Sequence, residues 1–335
     1  MGKNIREIAE LAGVSIATVS KVINGYTSVS AKTREKVMQI VNDTGFMPNS
    51  AARELVKKRS MTLGIFLTTG LTHPFFHQLL GGIEVALKEK GFDLIYLAQL
   101  GWTEEYSFVR HLRSRNVEGV LVFGFQRRDL NFDELIQSEI PTIFIDLDLT
   151  GPRSGYITSE NKHSIKRAVE YLYSLNHRKI AFITGTLESF AGRLRFEAYR
   201  QAISDLGLPY VAEFVAAGNW EKPSGYSGTK RFLALQDRPT AIICSSDMSA
   251  IGAMEAVMDA GLSVPDDISV IGFDDIELTQ HLRPALTTIR QNTFQIGKQA
   301  VELLVEMINN PDSPPPAVAI PTELIIRDSC TVHRE

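Results

Sequence analysis

The chain changes pattern once, near Ser60, and that break constrains its fold more than any other feature. Before it, apolar residues recur at helical spacing in short stretches bounded by capping residues. After it, strand-sized apolar runs alternate with amphipathic helical stretches. Charge divides at the same place. Residues 1–60 hold ten Lys/Arg against five Asp/Glu, a local +5, and residues 61–335 carry −9, so the total of −4 joins a basic arm to an acidic body. With 335 residues, 44% of them hydrophobic and 22% charged, the chain has room for two or three domains, and disorder, collagen-like repeats and a disulfide scaffold are excluded.

In the basic arm, Asn4 and Glu7 have capping-box spacing, and Ile5, Ile8, Ala9 and Ala12 follow at helical intervals up to Gly13. Ser15 opens a second helix with Val19, Val22 and Ile23 on its inner stripe, stopped by Asn24-Gly25. A third starts at Ser30, turns Val37, Ile40 and Val41 inward and ends at Gly45. Three short helices, the first two joined by a tight Gly-Val turn, describe an all-α helix-turn-helix unit over residues 1–46. The second helix of such a unit must be narrow and polar outside to enter a major groove about 12 Å wide. Ser15, Ile16, Ala17, Thr18, Ser20 and Lys21 meet that demand, and hydroxyls and N–H groups at the helix start suit phosphates. The alternative is a helical protein-interaction bundle; the local +5 favours DNA.

Residues 47–60 read as a hinge helix and linker. The stretch 48–57 falls short of the roughly 12–15 residues at which an isolated helix becomes marginally stable in water, so it should order only against a partner helix and DNA. Pro48 suits a helix start, and Ala51, Ala52 and Leu55 share a stripe. A plain linker is the alternative.

Residues 61–335 form the third part. Buried strands are expected at 62–68, 92–97, 119–123 and 142–146, with helices near 74–90, 104–115 and 133–138. The alternation resumes with helices at 162–175, 192–207, 224–236 and 248–260 and strands at 179–184, 213–216, 241–245 and 268–273. Two such α/β units imply two lobes of parallel sheet, helices on both faces, with a cleft between them. Lobe 1 is placed at about 61–160 plus 290–321 and lobe 2 at about 161–289 plus 322–335. The strand at 286–290, the helix 293–309 and the strand near 317–320 return to the first lobe, and 323–327 to the second. Ligands of open α/β sheets bind beyond the carboxyl ends of strands. Asp146, Asp274 and Asp275 end strands there; Ser246, Asp247 and Trp220 follow strands, and Arg193 and Arg195 lie on the next helix. Carboxylates accept from vicinal hydroxyls, a guanidinium donates to them, and an indole packs on the C–H face of a pyranose. Asp247 and Asp275 read better as helix caps than as ligand contacts.

The run Ile8-Ala9-Glu10-Leu11-Ala12-Gly13-Val14-Ser15-Ile16-Ala17-Thr18-Val19-Ser20-Lys21-Val22-Ile23-Asn24-Gly25, with 29–37 and the 46–55 segment, resembles the headpiece and hinge of the LacI/GalR family of bacterial repressors. The stretch Val264-Pro265-Asp266-Asp267-Ile268-Ser269-Val270-Ile271-Gly272-Phe273-Asp274-Asp275, with His73-Pro74-Phe75-Phe76, 176–183 and 284–289, resembles that family's periplasmic-binding-protein-like core. The resemblance implies a repressor of a carbohydrate-utilisation operon. It would be a homodimer on a palindromic double-stranded DNA operator, released by a sugar or sugar derivative bound between the lobes. It places Ile16, Ala17 and Lys21 at base-reading positions and Ser15, Thr18, Ser20, Asn24, Ser30 and Thr33 at phosphates. In the hinge it assigns DNA contact to Asn49, Ala52 and Arg53, and to Leu55 the minor-groove wedge. Effector contacts fall on Phe75, Phe76, Asp146, Arg195, Trp220, Ser246 and Asp274. Three positions depart from the pattern. Lys21 stands where the family often has Arg or His, Glu54 puts an acid in the hinge, and Ser246 replaces a usual Asn. A co-repressor or protein partner in place of the inducer, or a solute-binding protein, are the other readings.

No GxGxxG after a strand, GxxxxGK[ST], GxSxG or metal spacing points to an enzyme or a cofactor. Cys244 and Cys330 lack CxxC spacing, and neither a signal peptide nor an apolar run of roughly 18 residues occurs, so a cytoplasmic protein that does not enter a membrane is expected. The five residues after Cys330 are too few for a heptad bundle, which favours a dimer.

Overall fold

Local capping chemistry builds the first helices. The computed structural model describes residues 3–23, 25–46, 59–67, 74–98, 106–124 and 132–334, in two units, Met1–Met61 and Thr62–Glu335. In the first, helices α1 (Ile5–Ala12), α2 (Ile16–Ile23) and α3 (Ala31–Thr44) enclose Ile8, Ala9, Ala12, Val19, Val22 and Val37. Asn4 and Glu7 form a reciprocal capping box, Gly13 and Gly45 close α1 and α3 in the left-handed region at φ 65° and 61°, and Ser30 caps α3. The hinge segment and its residues Asn49, Ala52, Arg53 and Leu55 lie outside the described residues, as does Asn24.

The second unit holds two six-stranded sheets. The first contains β1 (Thr62–Leu67), β2 (Asp93–Tyr96), β3 (Gly119–Phe123), β4 (Thr142–Ile145), β5 (Ser154–Ser159) and β11 (Ala317–Ile320), in the order β11-β5-β4-β3-β1-β2, all parallel. Helices α4 (Pro74–Lys90), α5 (Phe108–Ser114) and α6 (Asp133–Ile136) belong to this lobe, and α11 (Thr293–Asn309) packs on α4, β3, β4 and β5. The second sheet contains β6 (Ile180–Ile183), β7 (Val215–Ala216), β8 (Ala241–Cys244), β9 (Ser269–Asp274), β10 (Thr287–Gln291) and β12 (Thr322–Ile325), in the order β12-β10-β9-β8-β6-β7, with only β12 antiparallel. Its helices are α7 (Asn161–Ser174), α8 (Phe190–Asp205), α9 (Lys222–Leu233) and α10 (Asp247–Asp259). Strands β3, β4, β6 and β8 are buried along their whole length, as expected where helices cover both faces.

Between the lobes the chain crosses three times, after β5, after β10 and between β11 and β12. Three expectations change. The strand expected at 286–290 on the first lobe pairs instead within the second sheet, beside β9 and β12. The strand expected at 213–216 shrinks to two residues behind a 3-10 turn at Ala212–Phe214. No strand is expected at Ser-Gly-Tyr-Ile-Thr-Ser, yet these residues form β5 between β4 and β11, with Ser154, Thr158 and Ser159 buried.

Candidate functional site

In the first unit one face of α2 is left open by the packing. Val19 and Val22 enter the core, whereas Ser15, Ile16, Ala17 and Lys21 are exposed and Thr18 and Ser20 half-buried. Ile16 is 44% exposed, a sec-butyl group outside the cluster that forms this unit's core. Ser15 Oγ accepts from the Thr18 N–H at 3.2 Å and pairs with the Thr18 hydroxyl at 2.9 Å, so the helix opens in a ring of hydroxyls. Ser30 and Thr33 repeat that arrangement at the start of α3, at 3.2 and 2.8 Å. Such helix starts present N–H groups and hydroxyls to anions.

Between the lobes of the second unit, side chains converge at the carboxyl ends of strands from both sheets. Asp146 follows β4 in the first lobe; Asp274 ends β9 in the second. Asp146, Trp220, Asp274 and Asp275 take φ values of 57°, 75°, 126° and 60°, conformations that side-chain-bearing residues adopt at a cost and that cluster at functional sites. Arg195, on α8, is 3% exposed. Its Nε donates to Asn161 Oδ1 at 2.7 Å, its Nη1 donates to the Ser245 carbonyl at 2.6 Å, and its guanidinium lies 3.5 Å from the Phe273 ring centroid and 5.3 Å from that of Trp220. Two of its three nitrogens are thereby fixed, which orients Nη2.

Three carboxylates surround this cation electrostatically. Burial pushes Asp146, Asp247 and Asp274 above the ordinary carboxylate range; for Asp274 and Asp146 the Arg195 charge works the other way, and Asp247 and Asp274 repel each other. Burial likewise pulls Arg195 below its ordinary value against the attraction of Asp274, Asp146 and Asp247. Asp146 accepts from the Thr158 hydroxyl at 2.6 Å and Asp274 from Gln291 Nε2 at 2.6 Å. Asp247 is fully buried in the first turn of α10, with one oxygen on the Thr288 hydroxyl at 2.5 Å and the other on the Ile276 N–H at 2.9 Å. Asp275 faces Arg327 at 2.6 Å and Arg290 at 2.7 Å, and although burial opposes its charge these hydrogen bonds hold it below the usual range.

Of the sequence-derived effector residues, the structure therefore gathers Asp146, Arg195, Trp220 and Asp274. Ser246 is 2% exposed and caps α10, its hydroxyl donating to the Trp220 carbonyl at 2.5 Å and accepting from the Ser249 N–H at 3.1 Å, so it braces Trp220. Phe76 is 1% exposed and edge-on to Phe123 at 4.9 Å; it supports the lobe interior and shows a ligand no face. The Phe75 side chain lies outside the described residues. Sequence patterning missed Thr158, Asn161 and Gln291, whose only signal is a polar residue at a strand end or helix start. Neither Asp247 nor Asp275 caps through its side chain as expected: Ser246 caps α10, and Asp275 sits in an ion-pair cluster.

No helix among the described residues is long and apolar enough to cross a membrane. Residues 4–49 match the family described as bacterial regulatory proteins, lacI family, and residues 169–330 match a periplasmic binding protein-like domain. The HTH-type transcriptional repressor PurR of Vibrio parahaemolyticus is 32% identical over 97% of this chain and 98% of its own length. The Lac repressor dimer bound to operator and the anti-inducer ONPF has a TM-score of 0.87 and 28% identity, covering 99% of this chain and 100% of that one. A complex of the transcriptional regulator CelR with cellobiose has a TM-score of 0.75 and 28% identity, covering 98% and 99%. The chain therefore belongs to the lacI family of bacterial transcriptional regulators.

Proposed function

We propose that this regulator represses transcription as a homodimer whose two α2 helices read half-sites of a palindromic operator. A sugar or sugar derivative held between the lobes by Asp146, Arg195, Trp220 and Asp274 sets its affinity for DNA. The observation that carries the effector half is the nearly buried Arg195 standing among carboxylates supplied by strand ends of both lobes. A guanidinium nitrogen, two carboxylates and an indole are the donors, acceptors and apolar face that a hydroxylated ring requires. The solved CelR–cellobiose complex supports the same class of ligand. On the DNA side, Ile16 and Ala17 suit a thymine methyl and Lys21 a guanine edge. Effector release of DNA requires tighter binding to the DNA-incompetent state, and the coupling is reciprocal.

Two measurements test this. Against an operator selected from random duplexes, Lys21→Ala should lose about 1–3 kcal/mol of binding, and wild-type affinity should fall steeply with salt. A flat salt dependence removes the phosphate contacts. In a thermal-unfolding panel of sugars, sugar phosphates and sugar acids, one member at 100 times its Kd should stabilise the wild type by about 2.7 kcal/mol and leave Asp274→Ala unmoved. Equal stabilisation of both proteins would place the ligand elsewhere.

A further inference from the structure

Arg195 of the second lobe and Asp146 of the first are joined by a continuous line of hydrogen-bonded side chains through the point where the chain first changes lobe. Asn161 is 1% exposed and is the first residue of α7, immediately past the first crossing. Its Oδ1 accepts from Arg195 Nε at 2.7 Å in the second lobe. Its Nδ2 donates to the Thr158 hydroxyl at 3.1 Å and to the Ser159 carbonyl at 2.9 Å, both on β5 of the first lobe. Thr158 in turn donates to Asp146 at 2.6 Å. A second arm starts one residue on: the Ser159 hydroxyl donates to Gln291 Oε1 at 2.6 Å, and Gln291 Nε2 donates to Asp274 at 2.6 Å. Gln291 ends β10 at the second crossing. The third crossing is tied to the first, with the Glu160 N–H donating to the Ile320 carbonyl at 2.9 Å and the Ser164 and Thr322 hydroxyls paired at 2.5 Å.

The first arm thus ends on two proposed effector-binding groups, Arg195 and Asp146, and the second on one, Asp274, each arm running through a side chain seated where the lobes pivot. Asn161 has two donor hydrogens and an acceptor oxygen, and all three functions are engaged with partners in different lobes, so rotating one lobe against the other must lengthen at least one of these bonds. Buried amides of this kind carry a desolvation cost when unpaired, which favours one discrete setting over a continuum.

We propose that Asn161 is a positioning residue that fixes the relative setting of the two lobes by joining Arg195 to Thr158 and Asp146, with the Ser159–Gln291 pair as its counterpart at the second crossing. A ligand engaging Arg195 and Asp146 together acts on both ends of this line, so occupancy and lobe setting are one equilibrium. The role in effector response rests on the cleft assignment proposed above; the lock itself does not need a ligand and is tested without one.

The test uses the full chain carrying spin labels on unnatural amino acids at the exposed positions Glu84, on α4, and Arg231, on α9, diluted with unlabelled protein, and reads the distance distribution by pulsed electron paramagnetic resonance. A second pair at Glu213 and Arg231 reports within one lobe. The wild type should give a single narrow distribution for both pairs. Asn161→Ala should add a second, displaced population to the inter-lobe pair and leave the intra-lobe pair unchanged. Thr158→Val, nearly isosteric and without contact to Arg195, should do the same, and it carries the test alone should Asn161→Ala fail to fold. A wild type with several inter-lobe distances, variants with an unchanged inter-lobe distance, or equal broadening of both pairs would each overturn the proposal; the last would show a merely structural role. Failure here with sugar binding intact would leave the cleft assignment standing, and the reverse result would leave the lock.

Discussion

Arg195→Ala is expected to destabilise the second unit by about 3–5 kcal/mol at pH 8, by less at pH 5, and to abolish the response to any cleft ligand. Truncation leaves Asn161 Oδ1 and the Ser245 carbonyl without their donors and empties the space over the Phe273 ring. It also removes the Arg195 charge, which draws Asp274 and Asp146 down. The sign of the pH dependence follows from proton counts. Carboxyl groups raised by burial bind protons in the folded chain that the unfolded chain releases above its ordinary value of about 3.9, so stability falls as pH rises from there through the raised folded values. The wild type already carries this slope through Asp146, Asp247 and Asp274. Without Arg195 the folded carboxyls move higher and the losing window widens, so the deficit grows with pH. Urea unfolding of both proteins at pH 5 and pH 8 measures it; an equal deficit at the two values would mean that packing and hydrogen bonds, not charge, account for the loss. Arg195→Lys should not restore the wild type, because an ammonium cannot donate to Asn161 and Ser245 while lying flat on Phe273.

What the sequence discloses about this chain depends on how local the causes are. Asn4 with Glu7, Ser15, Ser30, Gly13 and Gly45 act within four residues of themselves, and their helices are where the pattern puts them. Strands such as Gly119–Phe123 announce themselves because burial on both faces demands unbroken apolar runs. Strand β5 fails that test. Its Thr158 and Ser159 are buried because they serve a crossing and a cleft, and no neighbour in sequence says so. The site shows the same divide. Asp146 and Asp274 stand at strand ends and Trp220 in the loop that follows β7, where the topology alone recommends them. Ser246 stands at one too, yet its hydroxyl is engaged before any ligand arrives, accepting from the Ser249 N–H at the start of α10 and donating to the Trp220 carbonyl. Asn161 is legible only once Arg195 and Thr158 are seen on either side of it.

The second large effect is expected at Gly252, where α9 and α10 approach backbone to backbone. A Cβ on Gly252 would lie 2.0 Å from the Lys222 carbonyl oxygen and 2.8 Å from the Tyr226 nitrogen, and one on Gly225 would lie 1.9 Å from the Ser249 carbonyl oxygen. In an unobstructed helix interior Gly→Ala gains about 1 kcal/mol through propensity. Here neither obstructing group is a flexible side-chain tip, so the helices must separate, and overpacking of this kind costs about 1–3 kcal/mol, with the upper end expected for a backbone obstacle. The consequence reaches the cleft, because α9 begins two residues after Trp220, α10 begins one residue after Ser246, and Ser246 Oγ bonds the Trp220 carbonyl. Separation of the helices should therefore pull Trp220 off Gly185, against which its six-membered ring packs. Gly252→Ala in a Trp102→Phe background should lower the unfolding midpoint and shift the Trp220 emission to longer wavelength. Gly261→Ala supplies the contrast: that position has φ 74° and open space around it, so alanine should cost about 1–2 kcal/mol through backbone strain and leave the emission unchanged. An emission shift in both variants would mean that lost stability alone disturbs Trp220; a shift confined to Gly252→Ala would mean that the spacing of these two helices sets the indole in the cleft.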